Sequence, residues 1–186
     1  MAYYVEVEDF VVPKIVELSI AKNHLKIEDD FTEEDVLVQG YVDAAVDWLS
    51  SYLGYAVAKQ QYLVSAASFN EVLVSSLQKV ISIDSVQYKD VNGDLQTFDK
   101  DQCKIDVVDK FETKLSFLTD EFPEVQANKQ DAVQLTLTVG LKKVKKQINQ
   151  AILLLVGDFY EFRSNRPSKT SEDTVKNLVS VLRKPC

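Results

Sequence analysis

The sequence is poor in the residues that build metal sites, disulfide frameworks and phosphate-binding loops. Its 186 residues include two cysteines, one histidine and five glycines. Cys103 has only the terminal Cys186 as a possible partner, so neither a disulfide framework nor a zinc site is supported. No Walker A, dinucleotide-binding or nucleophile-elbow motif occurs. These absences argue against nucleotide-binding and nucleophilic enzymes, and we expect neither a metal nor another cofactor.

Long hydrophobic runs are also missing. The most apolar run, Ala151 to Val156, is far shorter than the roughly 20 residues that a membrane span needs. The opening MAYYVEVEDF lacks the basic and apolar blocks of a signal peptide. We therefore expect synthesis in a cytoplasm and no membrane partner.

What is abundant is acidic charge and apolar side chains. The chain has 29 acidic and 21 basic side chains, giving a formal net charge of -8, which argues against wholesale binding of nucleic-acid phosphates. A hydrophobic content of 46% rules out a mainly disordered protein. The length suits a single domain over residues 1–186.

Helical periodicity marks both ends of the chain. The segment Gln147–Phe162 has apolar residues at helical intervals and a second apolar face, which predicts a central helix buried among several neighbours. A helix is also predicted over Glu33–Leu53, with Gly54 as its left-handed cap. Shorter helices are expected near Ile20–Ile27 and after Thr170. The predicted inward stripe of the Glu33–Leu53 helix is Leu37, Tyr41, Ala44, Ala45, Trp48 and Tyr52, and its packing partners on the central helix are Ile148, Ile152, Leu155 and Phe159.

Strand-like patterns fill the middle of the chain. The predicted strands are Gln60–Ala66, Val72–Leu77, Val80–Tyr88, Leu95–Phe98, Lys104–Val108, Lys114–Leu118 and Val133–Val139. Asn92-Gly93 between two of them predicts a hairpin with a type I′ turn. The sequence thus predicts an α+β protein: a helical core from residues 19–58 and 142–184, and a β-rich antiparallel insertion over 59–140. Residues 1–18 form an N-terminal arm that pairs with its own sheet or with a neighbouring subunit.

Few side chains suggest chemistry. His24 lies on a short predicted helix without a nucleophile motif, so we interpret it as a packing or hydrogen-bonding residue. Asp90, Asn92 and Asp94 resemble the start of a calcium loop, but position 6 is Leu95, and the hairpin explains them better. The acids between Glu28 and Asp35 are explained by the electrostatics of a helix start.

The lysines before the central helix are the one basic cluster. A solvated helix start is the simpler interpretation, although positive charge is unfavourable at this end of a helix dipole and hints at a partner. The cluster consists of Lys142, Lys143, Lys145 and Lys146.

Two blocks together resemble the head–tail connector, or adaptor, proteins of tailed bacteriophages. The first block begins with VELSIAKNHLKI at Val16, followed by an acidic break, VLVQGYVDAAVDWL and then Tyr52-Leu53-Gly54. The second is VKKQINQAILLLVGDFYE from Val144, with Arg163 after it. The segment ISIDSVQYKDVNGDL from Ile81 also has the family's hairpin pattern. The sequence departs from the pattern by the long segment 103–131 and by Lys142-Lys143 where the family commonly has proline.

The resemblance implies a structural role in a virion and no enzymatic activity. Connectors of this kind form a ring, usually of twelve copies, beneath the portal protein. The ring extends the channel for genomic DNA and provides a platform for the next connector, stopper or tail protein. Candidate contacts with such partners are Tyr3, Tyr4, Phe10, Lys142, Lys143, Lys145, Lys146, Leu178 and Leu182.

Two other functions remain open at the level of sequence. A regulatory module could bind nucleic acid through the Lys142 to Lys146 patch, and this would give a steep salt dependence of DNA affinity. A hydrolase or metal enzyme would have to group His24 with distant acids and lose activity on His24→Ala.

Overall fold

A computed structural model describes residues 3–6, 14–73, 79–162 and 169–184, with the side chains of 3–6, 73 and 169–171 left out. The chain divides into two compact units. The β unit comprises residues 1–12 and 59–142, and the helical unit comprises residues 13–58 and 143–186. The sequence analysis predicts one domain with an arm over residues 1–18, whereas residues 1–12 here group with the β unit and residues 13–18 with the helical unit.

The described residues of the helical unit form four α-helices. They are α1 (Leu18–Leu25), α2 (Asp35–Leu53), α4 (Lys146–Glu161) and α5 (Lys169–Val179), the last followed by a 3₁₀ turn over Ser180–Leu182. Helix α4 packs against α1, α2 and α5, which is the arrangement expected of an apolar central helix. Its buried residues are Ile148, Ala151, Ile152, Leu155 and Val156. Phe159 is half-buried, and its ring lies 6.3 Å from that of Tyr41.

The inward face of α2 differs from the predicted stripe by about one residue. Its buried side chains are Val38, Val42, Ala45, Leu49 and Leu53. The predicted Tyr41, Trp48 and Tyr52 are only half-buried. Leu37 is 39% exposed and Ala44 is also exposed, so their predicted inward positions are wrong. The aliphatic residues fill the narrow contact with α4, and the larger rings lie at its sides.

In the described part of the β unit the strands form two antiparallel sheets. The five-stranded sheet has the order β1-β2-β7-β3-β4, and β5 pairs with β6 in a separate two-stranded sheet. The strands are β1 (Tyr3–Glu6), β2 (Gln60–Ala66), β3 (Val80–Lys89), β4 (Leu95–Phe98), β5 (Cys103–Val107), β6 (Thr113–Phe117) and β7 (Val133–Val139). In β7, buried Val133, Leu135, Leu137 and Val139 alternate with less buried polar residues, so one face of the sheet supplies the core. The predicted α+β class is confirmed.

A short helix overlaps the start of one predicted strand. Helix α3 (Phe69–Leu73) includes Val72 and Leu73, the first two residues of the strand predicted over Val72–Leu77, so the prediction is wrong at these two positions. Residues 74–78 lie outside the described part of the chain. The missed signal is a capping box. Ser68 Oγ accepts a hydrogen bond from the Glu71 N–H at 3.4 Å, and Glu71 Oε2 accepts one from the Ala67 N–H at 3.3 Å.

The hairpin at Asn92-Gly93 forms, but its turn differs from the predicted type. Strands β3 and β4 pair from Lys89↔Leu95 onward. The Gly93 N–H donates to the Asp90 carbonyl at 2.9 Å, and of the two central residues only Gly93 has a positive φ, at +89°. A type I′ turn requires positive φ at both, so the loop is longer than two residues and uses the glycine at its left-handed position. Gly54 at the end of α2 has φ +77°, which confirms its predicted cap.

Candidate functional site

A buried lysine organises the corner between α1 and α2. Lys22 is 3% exposed, and its Nζ donates to the carbonyls of Asp29 at 2.9 Å and Phe31 at 2.8 Å. The same ammonium forms an ion pair with Asp35 Oδ1 at 2.9 Å. A buried charge is tolerated only when it is paired and hydrogen-bonded, as it is here. Lys22 therefore fixes the α1–α2 loop against the first turn of α2.

The acids of this corner have two different roles. Asp35 pairs with Lys22, and Glu34 Oε2 accepts a hydrogen bond from the Tyr160 hydroxyl at 2.7 Å, which links α2 to the end of α4. The remaining acids face solvent: Glu28, Asp29, Asp30 and Glu33. Within the described ranges, no group of three or more His, Cys, Asp or Glu side chains has the geometry of a metal site. The corner is thus an acidic surface.

His24 lies beside the central helix. A Cβ atom built on Gly157 of α4 would lie 3.5 Å from His24 Nε2. The absence of a side chain at Gly157 gives the imidazole room next to the helix. His24 is nevertheless exposed, so its packing or hydrogen-bonding role stays a prediction.

The lysine segment begins α4 without a capping side chain. Lys145 occupies the N-cap position with extended backbone angles, and its side chain makes no capping hydrogen bond. Lys142, Lys143, Lys145 and Lys146 are all exposed, and Val144 between them is half-buried. Positive charge here adds to the positive end of the helix dipole, so an anionic partner would relieve an unfavourable local arrangement.

The other candidate contact residues differ in burial and in the element that carries them. Tyr3 and Tyr4 lie in β1, whose backbone pairs with β2 of the same chain, which is one of the two options predicted for the arm. Phe10 lies outside the described residues. Leu178 is half-buried, whereas Leu182 is 3% exposed and its carbonyl accepts a hydrogen bond from the Tyr55 hydroxyl at 3.0 Å. Leu182 therefore belongs to its own unit's core, which corrects its prediction as a contact residue.

An aromatic stack lies at the side of α2. The rings of Trp48 and Tyr52 are stacked with centroids 5.5 Å apart, and the Arg183 guanidinium lies 5.0 Å from the centroid of Tyr52. Close to this stack, the Lys184 N–H donates to the Leu53 carbonyl at 2.9 Å. The stack ties the end of the chain to the end of α2, a contact that sequence spacing could not have shown.

The β unit contains a polar network across three strands. Asp84 lies at a bulge in β3, where the register with β7 shifts. Its carboxylate accepts hydrogen bonds from Gln61 Nε2 at 3.0 Å, Ser82 Oγ at 2.9 Å and Thr138 Oγ1 at 2.7 Å. The bulge directs this carboxylate onto the open face of the sheet, where it holds β2, β7 and β3 together. We find no catalytic arrangement in this network of the described residues.

A cluster of five aromatic residues explains part of the long 103–131 segment. Phe69 stacks on Phe122 with centroids 4.9 Å apart, and it also contacts Phe98 at 5.0 Å and Phe117 at 5.5 Å. Tyr88 lies 5.9 Å from Phe69. Phe122 comes from the loop after β6, so this loop packs on α3 and the two-stranded sheet. The pairing of distant aromatic residues leaves no periodic signal in the sequence.

Comparison with solved structures shows which known chains share this fold. The chain resembles a chain in the neck of an empty gene transfer agent (GTA) particle computed with C6 symmetry, with a TM-score of 0.76, 17% identity and coverage of 99% of this chain and 96% of that one. A chain in the virion of a native GTA particle gives a TM-score of 0.74, 18% identity and coverage of 98% and 96%. A chain in the neck of the native GTA particle, computed with C12 symmetry, gives a TM-score of 0.66 and 13% identity, with coverage of 95% of this chain and 97% of that one. These likenesses show a shared fold over nearly the whole chain.

A family comparison of the sequence points the same way. Residues 15–98 match the model of the phage gp6-like head-tail connector protein family. The resemblance to head–tail connectors predicted from the sequence is confirmed over this part of the chain. No curated protein sequence gives a significant match. No helix in the described part of the chain is both long and apolar enough to cross a membrane.

Proposed function

We propose that this chain is a non-enzymatic adaptor at the head–tail junction of a phage or phage-like virion, after synthesis in the host cytoplasm. Copies of the chain form a ring beneath the portal protein. The ring extends the DNA channel and carries the docking platform for the next connector, stopper or tail protein. The observation that carries the proposal is the likeness to GTA neck and virion chains over 95–99% of this chain. The family match over residues 15–98 supports it.

Symmetry and charge support the same role. The neck structures that share the fold were computed with C6 and C12 symmetry. A ring of twelve copies is compatible with both symmetries. Identical subunits in head-to-tail contact close into a ring when the rotation between them closes. A net charge of -8 suits a channel wall because a basic wall would hold passing DNA through released counterions.

The candidate contact residues keep their assignments only where side chains are accessible. The exposed lysines 142, 143, 145 and 146 are the strongest candidates, and the half-buried Leu178 is a weaker one. Tyr3, Tyr4 and Phe10 stay predictions from the sequence, because their side chains lie outside the described part of the structure. Trp48, Tyr52 and Phe159 serve packing within the helical unit. The lysines are also the feature that favours the alternative, a regulatory module that binds nucleic acid.

Imaging combined with mass measurement tests the proposal. The purified chain, alone and mixed with the portal protein of the same genome, is examined by negative-stain electron microscopy and native mass spectrometry. We expect rings of one defined copy number in at least the mixture. In the virion, antibody labelling should place the chain at the neck. The proposal would be contradicted if the chain were absent from purified particles and formed no ring with the portal.

A further inference from the structure

The acidic corner of the helical unit also presents apolar side chains to solvent. Val36 is 88% exposed, Phe31 is 42% exposed and Leu37 is 39% exposed. Lys22 holds the loop that carries Phe31 against the first turn of α2, so these apolar residues share one corner with the exposed acids. Those acids are Glu28, Asp29, Asp30 and Glu33. An apolar centre with a charged rim is typical of protein–protein interfaces.

The start of α4 presents the complementary charge. Lys143, Lys145 and Lys146 are exposed around the half-buried Val144. Among the described residues, no ion pair engages these lysines or the exposed acids of the corner. Two surfaces of opposite sign on one chain are therefore both without a charged partner in the described part of the molecule.

The two surfaces cannot meet within one chain. The hydrogen bond from Tyr160 to Glu34 places the end of α4 at the acidic corner. Helix α4 rises about 1.5 Å per residue, so its start at Lys146 is about 21 Å from Tyr160. This distance is far beyond the reach of a lysine side chain. Only a second molecule can bring the lysines to the acids.

We propose that the acidic corner of one copy binds the lysine-bearing start of α4 in the next copy. The partner is a second copy of this chain, because the chain carries both complementary charges and the acidic corner presents exposed apolar side chains next to its charges. The contact joins two different surfaces and is therefore head-to-tail, the type that generates a ring or a filament. The inference rests on the proposed ring and identifies the subunit contact that builds it.

Charge reversal at each surface tests the contact. One variant, E28K/D29K/D30K, makes the corner basic, and the other, K143E/K145E/K146E, makes the helix start acidic. The second change improves the electrostatics of the helix start, so loss of assembly in that variant does not arise from a weakened helix. We expect each variant alone to raise the dissociation constant for assembly at least about tenfold, since like charges then meet. Sedimentation velocity and native mass spectrometry, with portal where assembly needs it, give the readout.

Mixing the two variants gives the decisive measurement. In an alternating ring the basic corner of one variant meets the acidic helix start of the other, and the remaining contacts are native. The mixture should therefore assemble although neither variant does, and raising the salt should weaken both wild-type and mixed rings. Matched controls are K100E/K114E/K129E and D120K/E121K/E124K, which make equal charge changes at exposed residues of the β unit and should assemble normally.

The outcomes separate this contact from the general role. If either triple variant is folded and still forms rings like those of the wild type, the proposed contact is wrong. It is also wrong if the mixture of the two variants fails to assemble. Both outcomes leave the adaptor role intact. A wild-type chain that forms no ring alone or with portal overturns the adaptor role and the contact together. Circular dichroism of each variant confirms that it is folded before its assembly is measured.

Discussion

At the scale of single residues, Lys22 is the side chain whose loss we expect to destabilise the α1–α2 corner most. Its ammonium is buried and bonds two carbonyls and one carboxylate. In Lys22→Met the two carbonyls lose their donor, and Asp35 loses its ion-pair partner and keeps an unpaired, partly buried charge. We expect a loss of about 3 kcal/mol in the free energy of unfolding, measured by chemical denaturation.

The control for Lys22 is Lys14→Met, which changes an exposed lysine of the same unit and should alter the free energy of unfolding by less than about 0.5 kcal/mol. The double variant K22M/D35L removes both charges and should recover part of the loss. Equal stability of K22M and wild type would show that the ion pair does not hold the corner.

Cys103 offers a second test at this scale. Burial raises the pKa of the Cys103 thiol to about 11, and the nearby Asp106 carboxylate contributes to the rise. The thiol is therefore almost entirely protonated at pH 8, with about one molecule in a thousand as thiolate. In Cys186→Ser, we expect a thiol-specific reagent to label Cys103 very slowly in the folded chain and rapidly in denaturant. Fast labelling of the folded chain would mean that β5 opens readily.

At the scale of elements, the aromatic cluster holds α3, the two-stranded sheet and the Phe122 loop together. Phe69 is 3% exposed and touches four other rings, so Phe69→Ala should cost about 4 kcal/mol of unfolding free energy. Phe31→Ala is the matched control, because that ring is 42% exposed and its removal should change stability by less than about 0.5 kcal/mol. Chemical denaturation followed by circular dichroism compares them, and equal losses would contradict the cluster's role.

The same elements show what the sequence could predict. Hydrophobic alternation located β2 and β7 at Gln60–Ala66 and Val133–Val139, because strand periodicity is local. The face of α2 was predicted about one residue away from the observed one, because aromatic Trp48 and Tyr52 weighed more in the pattern than aliphatic Leu49 and Leu53. The β-branched residues after Glu71 favour a strand by pattern alone, whereas the Ser68 to Glu71 capping contacts, which a strand pattern does not include, start helix α3.

The candidate surfaces were predictable only in part. The lysine cluster was visible in the sequence because its members are adjacent, and the structure shows them exposed. The corner was interpreted as helix-start electrostatics alone, because nothing in the spacing shows that Lys22 would be buried there. The exposure of Val36 depends on the orientation of α2, which the sequence pattern placed incorrectly.

At the scale of the whole molecule, net charge separates the adaptor from the alternative DNA-binding regulator. With a charge of -8, the chain should show no measurable affinity for duplex DNA at physiological salt. Fluorescence anisotropy with labelled duplex DNA measures this, and K143E/K145E/K146E should give the same result as wild type. Strong binding that falls with a log–log salt slope near about -3, and is lost in the triple variant, would favour the regulator.

The pairing of Gln60 with Val139 has an evolutionary consequence. These residues begin and end the long middle segment, and neighbouring strands are only about 4.8 Å apart. The two ends of the middle segment therefore lie side by side in one sheet. Loops within this segment can lengthen, shorten or change sequence without separating its two ends. One continuous stretch of coding sequence thus encodes a structure with adjoining ends, which makes it a natural target for recombination.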